Sequence, residues 1–136
     1  APGVSKAGTA SQALVETVDI YPTLVELARL PEADAHQPID GKSLVPILKD
    51  PAKTVRDHAY HCYPRGNRLG RAIRTERYRL VEWKPWGGKP DTTEFELYDY
   101  QADPLERRNL AKDQPDVVEE LVKILATHPA ALRPKR

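Results

Sequence analysis

Apolar residues between positions 14 and 30 recur at three- and four-residue intervals, the spacing of one helix face. They are Leu14, Val15, Val18, Tyr21, Leu24, Val25 and Leu27. Pro22 cannot donate a backbone hydrogen bond inside a helix, so the main helix is predicted to begin near it, with Asp19 as its N-cap. Pro31 is predicted to stop the segment.

Several short segments with strand-like composition follow this region, and the last of them alternates. They predict strands at 59–63, 71–75, 78–83 and 95–100, with a loop at 64–70 that contains Gly66 and Asn67 and another loop at 84–93. A short helix at 44–48, capped by Ser43, is predicted before them. After them, Asp103-Pro104 is predicted to open a helical turn that runs through Leu110. Pro115 is predicted to begin a final amphipathic helix.

Consecutive strands followed by a helix favour an α+β fold over repeated β-α-β units. We therefore predict a small antiparallel sheet of about four strands, packed against the C-terminal helix and preceded by a separate helical segment. The predicted boundary puts residues 1–54 in the helical part and residues 55–136 in the sheet part.

Composition narrows the possible partners. The 136 residues carry a net charge of +1, which argues against a nucleic-acid partner. No apolar run approaches the roughly 18 residues of a membrane span, so no membrane partner is predicted. A single cysteine, Cys62, excludes an internal disulfide. The chain opens on Ala1-Pro2-Gly3 and has no Met, which leads us to expect a segment of a longer protein.

Cys62 and Arg68 have the spacing of a cysteine phosphatase loop, in which a thiolate attacks a phosphate held by an arginine and backbone N–H groups. However, Arg65 occupies the position where such a loop has glycine, and the following residues resemble a strand rather than a helix. A half-buried strand cysteine is the favoured interpretation, and the phosphatase stays as an alternative.

A metal site built from His58, His61 and Cys62 is a weaker hypothesis. His58 and His61 would point to opposite faces of a strand, and no fourth ligand follows at a zinc spacing. No metal ligand is therefore predicted in this chain.

Six arginines between positions 65 and 79 form a cluster that contains one acid, Glu76. They are Arg65, Arg68, Arg71, Arg74, Arg77 and Arg79. Such a cluster attracts phosphate or sulfate, and a stand-alone anion-binding module is a further alternative. For most of them we favour ion pairs with the acids of neighbouring strands, Glu82, Glu94, Glu96 and Asp99. Asp99, Asp103 and Glu106 surround a turn and are predicted to act there as capping residues, not as an acid–base pair.

Several segments, in this order, resemble the C-terminal part of sulfatases of the arylsulfatase and iduronate-2-sulfatase type. They are Leu14 to Leu24 (LVETVDIYPTL), Asp40 to Leu44 (DGKSL), Ala59 to Arg65 (AYHCYPR), Ile73 to Arg79 (IRTERYR), Glu96 to Asp99 (ELYD), Asp103 to Glu106 (DPLE) and Asn109-Leu110. The resemblance covers nearly the whole chain. It implies that residues 1–54 end a large α/β domain and that residues 55–136 form a small C-terminal subdomain.

The resemblance also implies a chemistry. In the family, a cysteine or serine of a C/S-x-P-x-R motif becomes formylglycine, and a calcium ion polarises the sulfate. The formylglycine motif and the calcium ligands would both lie upstream of this chain. The expected partner is therefore the catalytic part of the enzyme, and the isolated chain is expected to be inactive. Cys62-Tyr63-Pro64-Arg65 has its arginine one residue early and is not assigned as that motif. The family suggests a periplasmic, secreted or lysosomal location.

The expected substrate is a sulfated carbohydrate such as a glycosaminoglycan. We predict that residues 63–71 form a loop facing the substrate cleft, with Tyr63, Arg65 and Arg68 as substrate-binding residues. An internal salt bridge of Arg65 between subdomains is the alternative. No catalytic residue is predicted in this chain.

Overall fold

The structure is a computed structural model that describes residues 1–31, 38–86 and 92–130. The chain forms two compact units, Ala1–Ala59 and Tyr60–Arg136. In the first unit, a 3-10 helix at Thr17–Asp19 leads directly into helix α1, Ile20–Leu27, and helix α2 spans Val45–Lys49. Helix α1 begins two residues before Pro22, close to the predicted start, and it ends before Pro31, as predicted.

Buried polar contacts hold the first unit together. Asp19 precedes α1, as predicted, but its side chain does not cap that helix. The buried carboxylate instead accepts hydrogen bonds from the backbone N–H groups of Glu16 (2.7 Å) and Lys42 (2.8 Å) and from the Arg56 guanidinium. Arg56 also pairs with Glu16 at 2.9 Å. Segments far apart in sequence thus meet at one carboxylate.

The second unit is a four-stranded antiparallel sheet in the order β1-β2-β3-β4. The strands are β1 (Ala59–Arg65), β2 (Arg68–Arg74), β3 (Tyr78–Pro85) and β4 (Glu94–Asp99), followed by helix α3 (Pro115–Leu125). The predicted α+β fold is confirmed. In the part of the chain that the structure describes, no helix is both long and apolar enough to cross a membrane.

One face of the sheet packs against α3 through a small core of Ile73, Leu80, Leu97, Leu121 and Leu125. Alternation along the strands selects this face, since Ile73 is opposite Leu80 and Leu80 is opposite Leu97 in the register. The other face carries arginines, aromatic rings and carboxylates.

Two local predictions are wrong. The predicted loop at 64–70 is the end of β1 and the start of β2, joined by a two-residue turn at Gly66 and Asn67. Gly66 adopts a φ of 60°, which glycine tolerates and which suits a tight hairpin. Pro64 fits inside β1 because an edge strand has unpaired backbone positions.

The second wrong prediction is the helical turn at 103–110, which consists of turns and bends. Asp103 still acts as expected of a cap, since its carboxylate accepts the N–H groups of Arg107 (2.5 Å) and Arg108 (3.1 Å). Glu106 adopts a φ of 54°, which interrupts any regular helix there. Part of the predicted loop at 84–93 lies outside the described residues, and residues 84 and 85 belong to β3.

Candidate functional site

The three predicted substrate-binding residues lie on one face of the sheet. Tyr63 and Arg65 share a face of β1 because side chains alternate along a strand. The two-residue turn puts its flanking residues, Arg65 and Arg68, on the same side. This face is the one opposite α3, since Arg68 contacts the Trp83 ring on it. The structure therefore brings these residues together, but on a hairpin instead of the predicted loop.

Arg68 is already engaged. Its Nη2 lies 2.8 Å from Glu94 Oε2, a charge contact without hydrogen-bond alignment, and its guanidinium lies 5.9 Å from the centre of the Trp83 ring. Its Nε is buried and has no acceptor among the described residues. Because Arg68 would have to leave Glu94 to bind an anion, it is the less suitable contact.

Arg65 differs from the other arginines of the cluster. It is exposed at the end of β1, and it makes no ion pair or hydrogen bond with the residues that the structure describes. Tyr63 is 56% exposed beside it, and the His61 ring lies 6.4 Å from the Tyr63 ring, at an angle of 15°. A cation without an internal partner next to exposed rings suits an anionic, ring-containing ligand.

Four arginines of the cluster remain. Two of them pair with acids of neighbouring strands, as predicted, one pairs with a different acid, and one makes no ion pair with the described residues. Arg71 pairs with Glu82 at 2.7 Å, and Arg77 pairs with Asp99 at 2.8 Å. Arg79 binds Glu106 instead of a strand acid, with Nε 2.6 Å from Oε1. The arginine without an ion pair to a described residue is Arg74.

Arg74 stacks over the Tyr100 ring, with its guanidinium carbon 3.6 Å from the ring centre. Tyr100 donates its hydroxyl to Glu106, so an aromatic ring links this arginine to the Arg79–Glu106 pair. Arg79 in turn lies over the Tyr98 ring, at 5.1 Å. Three arginines of this face therefore each contact an aromatic ring, which favours cation–π stabilisation of the sheet over anion binding.

The sequence did not reveal the role of Gly70 and Trp83. Gly70 is opposite Trp83 in the register, and a Cβ on it would lie 2.7 Å from Trp83 Cζ3. The Trp83 ring therefore lies flat over the strand at the glycine, and its Nε1 donates to Glu96 at 3.1 Å. A glycine inside a strand was the available signal, because it often marks a close approach.

The structure excludes the phosphatase arrangement. Cys62 and Arg68 lie on opposite faces of the sheet, and Cys62 is exposed within β1. Such chemistry needs the thiolate and the arginine on one anion, cradled by backbone N–H groups at the start of a helix. Here a hairpin turn follows the cysteine.

The metal hypothesis finds no support either. Among residues 1–31, 38–86 and 92–130, no group of three or more His, Cys, Asp or Glu side chains is arranged to hold a metal ion. The carboxylates grouped around Asp99 and Glu106 are bound by arginines. Carboxylates that arginines already bind do not suit a calcium ion, and we assign no calcium ligand to them. The sulfatase resemblance implies calcium ligands upstream of this chain.

Contacts with basic side chains favour the ionised form of three carboxyls, two in the sheet and one in the segment after β4. Burial disfavours the charged form of Glu82, but hydrogen bonds from Lys84 and Arg71 outweigh it and lower its pKa. Hydrogen bonds from Arg77 lower the pKa of Asp99. Burial of Glu106 is likewise outweighed by bonds from Arg79 and Tyr100, and its pKa is lowered.

We expect the free energy of unfolding to fall as the pH drops below about 4.5, the ordinary pKa of glutamate. A carboxyl whose pKa is lower in the folded state stabilises the fold above its unfolded-state pKa, and this contribution is lost as the pH falls through the folded value. Urea denaturation at a series of pH values measures it. Glu82→Gln should flatten the pH dependence, whereas Glu76→Gln, whose side chain enters none of these pairs, should not. Equal slopes for wild type and Glu82→Gln would contradict the assignment.

Comparison with solved structures defines the class of protein. A structure of a protein in complex with its substrate D-glucosamine-2-N,6-O-disulfate superimposes with a TM-score of 0.75 and 29% identity, over 93% of this chain and 26% of that one. A putative sulfatase of Bacteroides thetaiotaomicron superimposes with a TM-score of 0.65 and 27% identity, over 80% of this chain and 23% of that one. The fold is therefore that of a lobe found within sulfatases.

The chain belongs to the sulfatase family, in the region described as N-sulphoglucosamine sulphohydrolase, C-terminal, which matches residues 1–133. An N-acetylglucosamine-6-O-sulfatase of Bacteroides thetaiotaomicron is 31% identical over 88% of this chain. A Delta 4,5-hexuronate-2-O-sulfatase of the same organism is 36% identical over 85% of it. The chain spans only 23% and 22% of their respective lengths. The predicted resemblance to the C-terminal part of sulfatases is confirmed.

Proposed function

We propose that this chain is the C-terminal lobe of an enzyme that hydrolyses sulfate esters of a sulfated glycan. The family match over residues 1–133 carries this proposal. The two sulfatase relatives named above act, by their names, on a sulfated glucosamine and a sulfated hexuronate, so a sulfated sugar is the common chemistry. The hexuronate relative supports the finer assignment to an iduronate-2-sulfatase-like substrate.

In this proposal the reacting groups belong to a catalytic part outside these residues. Residues 55–136 contribute binding surface, and residues 1–54 complete the large domain that contains the catalytic part. Support comes from the apolar side chains of the first unit that are about half exposed. They are Val15, Val18, Ile20, Tyr21, Leu24 and Leu30. A surface of this kind is typical of one that packs against another part of the protein.

Tyr63 and Arg65 are the proposed substrate contacts of the lobe, with Arg68 in a secondary role because Glu94 holds it. A guanidinium without an internal partner can meet a sulfate or carboxylate through two parallel hydrogen bonds. The same geometry would also suit the stand-alone anion-binding module, which differs in requiring no catalytic part. Sulfate release distinguishes the two functions.

The test is sulfate release from a heparin-derived tetrasaccharide by the full-length protein that contains this chain. Arg65→Ala is expected to raise KM by roughly tenfold with little change in kcat, since a charge-assisted hydrogen bond to substrate is lost. Arg108→Ala is the matched control, because Arg108 is an exposed arginine paired with Asp113 in a separate loop. Absence of sulfate release by the full-length protein would contradict the proposed function, and an unchanged KM in Arg65→Ala would contradict the role of Arg65.

A further inference from the structure

Three exposed side chains follow one another along the outer strand of the sheet. His61, Tyr63 and Arg65 occupy alternate positions of β1 and therefore share one face. We call these three residues the β1 strip. At about 3.3 Å per residue, the strip extends over roughly 13 Å. This is longer than a single sugar ring.

The chemistry of the β1 strip changes along its length. Its first two members present rings that are nearly parallel, at 15°, and Tyr63 is exposed over more than half of its surface. Its last member is a guanidinium that makes no ion pair with the described residues. Aromatic faces stack on the C–H face of a sugar ring, whereas a guanidinium binds a sulfate or carboxylate. The strip therefore offers one kind of contact for a ring and another for a charge.

Among the residues that the structure describes, the surface beside the strip does not offer the same combination. Trp83 is fixed over Gly70 and donates to Glu96, and Arg68 lies between Trp83 and Glu94. Because Arg68 and Glu94 compensate each other's charge, this side offers a sulfated ligand no uncompensated cation. Charge complementarity thus favours the outer strand over the centre of the sheet as the path of an anionic oligosaccharide.

We propose that the β1 strip binds a sulfated glycan along the strand, contacting two or more consecutive sugar units, so that the lobe selects substrates by chain length. This inference rests on the proposed function and deepens it. Arg65 holds an anionic group of one unit, and Tyr63, aided by His61, stacks on a neighbouring unit. A sulfated monosaccharide is too short to use both contacts.

The test compares the full-length protein on a heparin-derived tetrasaccharide and on the monosaccharide iduronate 2-sulfate. Tyr63→Ala is expected to raise KM for the tetrasaccharide roughly fivefold to tenfold, with less than a twofold change for the monosaccharide. Tyr63→Phe, which keeps the ring, should retain the wild-type KM for both. Cys62→Ser is the control for the strand itself, because residue 62 lies between two members of the strip in sequence but on the opposite face of the sheet.

Two results would overturn the inference. One is a Tyr63→Ala variant whose KM for the tetrasaccharide is unchanged. The other is an equal rise in KM for both substrates, which would make Tyr63 a contact of the reacting sugar alone. Sulfate release by the wild-type protein tests the proposed function separately. If the wild type releases sulfate while Tyr63→Ala gives one of these two results, the inference fails and the proposed function stands.

Discussion

Replacing Gly41 with alanine is expected to lower the free energy of unfolding of the first unit by about 3 kcal/mol or more. A Cβ at this position would lie 2.0 Å from the backbone oxygen of Val18 and 2.6 Å from its carbonyl carbon. No side-chain rotation relieves a clash with backbone, so the segment that contains Gly41 must move away. Chemical denaturation followed by far-ultraviolet circular dichroism measures the change.

The displacement has a second cost, because the residues after Gly41 are bonded to helix α1. The N–H of Lys42 donates to the buried Asp19 carboxylate at 2.8 Å, and the N–H of Leu44 donates to Thr23 Oγ1 at 2.8 Å. Moving this segment weakens both bonds and leaves buried polar groups unpaired, at about 1–3 kcal/mol for each.

Lys42→Ala is the matched control for this prediction. It alters the next residue but keeps the backbone N–H that Asp19 accepts, and the Lys42 side chain is exposed. We expect a change within about 0.5 kcal/mol, the usual range for a surface substitution. If Gly41→Ala were as stable as wild type, the fold would not require the backbone at position 41 to lie so close to the carbonyl group of Val18.

The sheet was predictable from the sequence because several short segments with strand-like composition follow one another, and the segment at 95–100 also alternates. The pairing of arginines with acids of neighbouring strands was also predictable in outline, since cross-strand partners of opposite charge lie within reach. Arg71 with Glu82 and Arg77 with Asp99 are examples. What sequence pattern cannot supply is the partner of Arg79, because Glu106 lies in an irregular segment whose path depends on its own backbone turn.

The hairpin at Gly66 shows a different limit. Pro64, Gly66 and Asn67 together resemble a loop, since each of these residue types is common in turns. Only two residues nevertheless separate β1 from β2, because a glycine at positive φ allows the chain to reverse in a two-residue turn. The three predicted substrate-binding residues therefore lie on a hairpin and not on the predicted loop.

Asp19 illustrates the same limit in the first unit. Its position before a helix predicts a cap, and local sequence contains nothing that points to Arg56, 37 residues away. Long-range pairs of buried charges are set by the tertiary fold rather than by periodicity. They also explain why the short helices of this unit hold together, since helices of 8 and 5 residues are not stable alone.

Replacing Leu97 with alanine is expected to destabilise the second unit by about 3–5 kcal/mol, the range for a leucine removed from a well-packed core. Leu97 is completely buried and belongs to the cluster of five buried residues at the centre of the core, so its truncation leaves a cavity there. Small domains have about 5–15 kcal/mol of total stability, and a loss of this size consumes much of it. Thermal denaturation followed by near-ultraviolet circular dichroism measures the effect.

Leu105→Ala removes the same side-chain atoms from a leucine that is 67% exposed, and it should change the stability by less than about 0.5 kcal/mol. The contrast isolates burial from the chemistry of the substitution. Because β4 also contributes Asp99 and leads into the segment that contains Glu106, loss of Leu97 packing should weaken the arginine pairs at the same time. A Leu97→Ala variant as stable as Leu105→Ala would mean that Leu97 does not belong to the core that the sheet forms with α3.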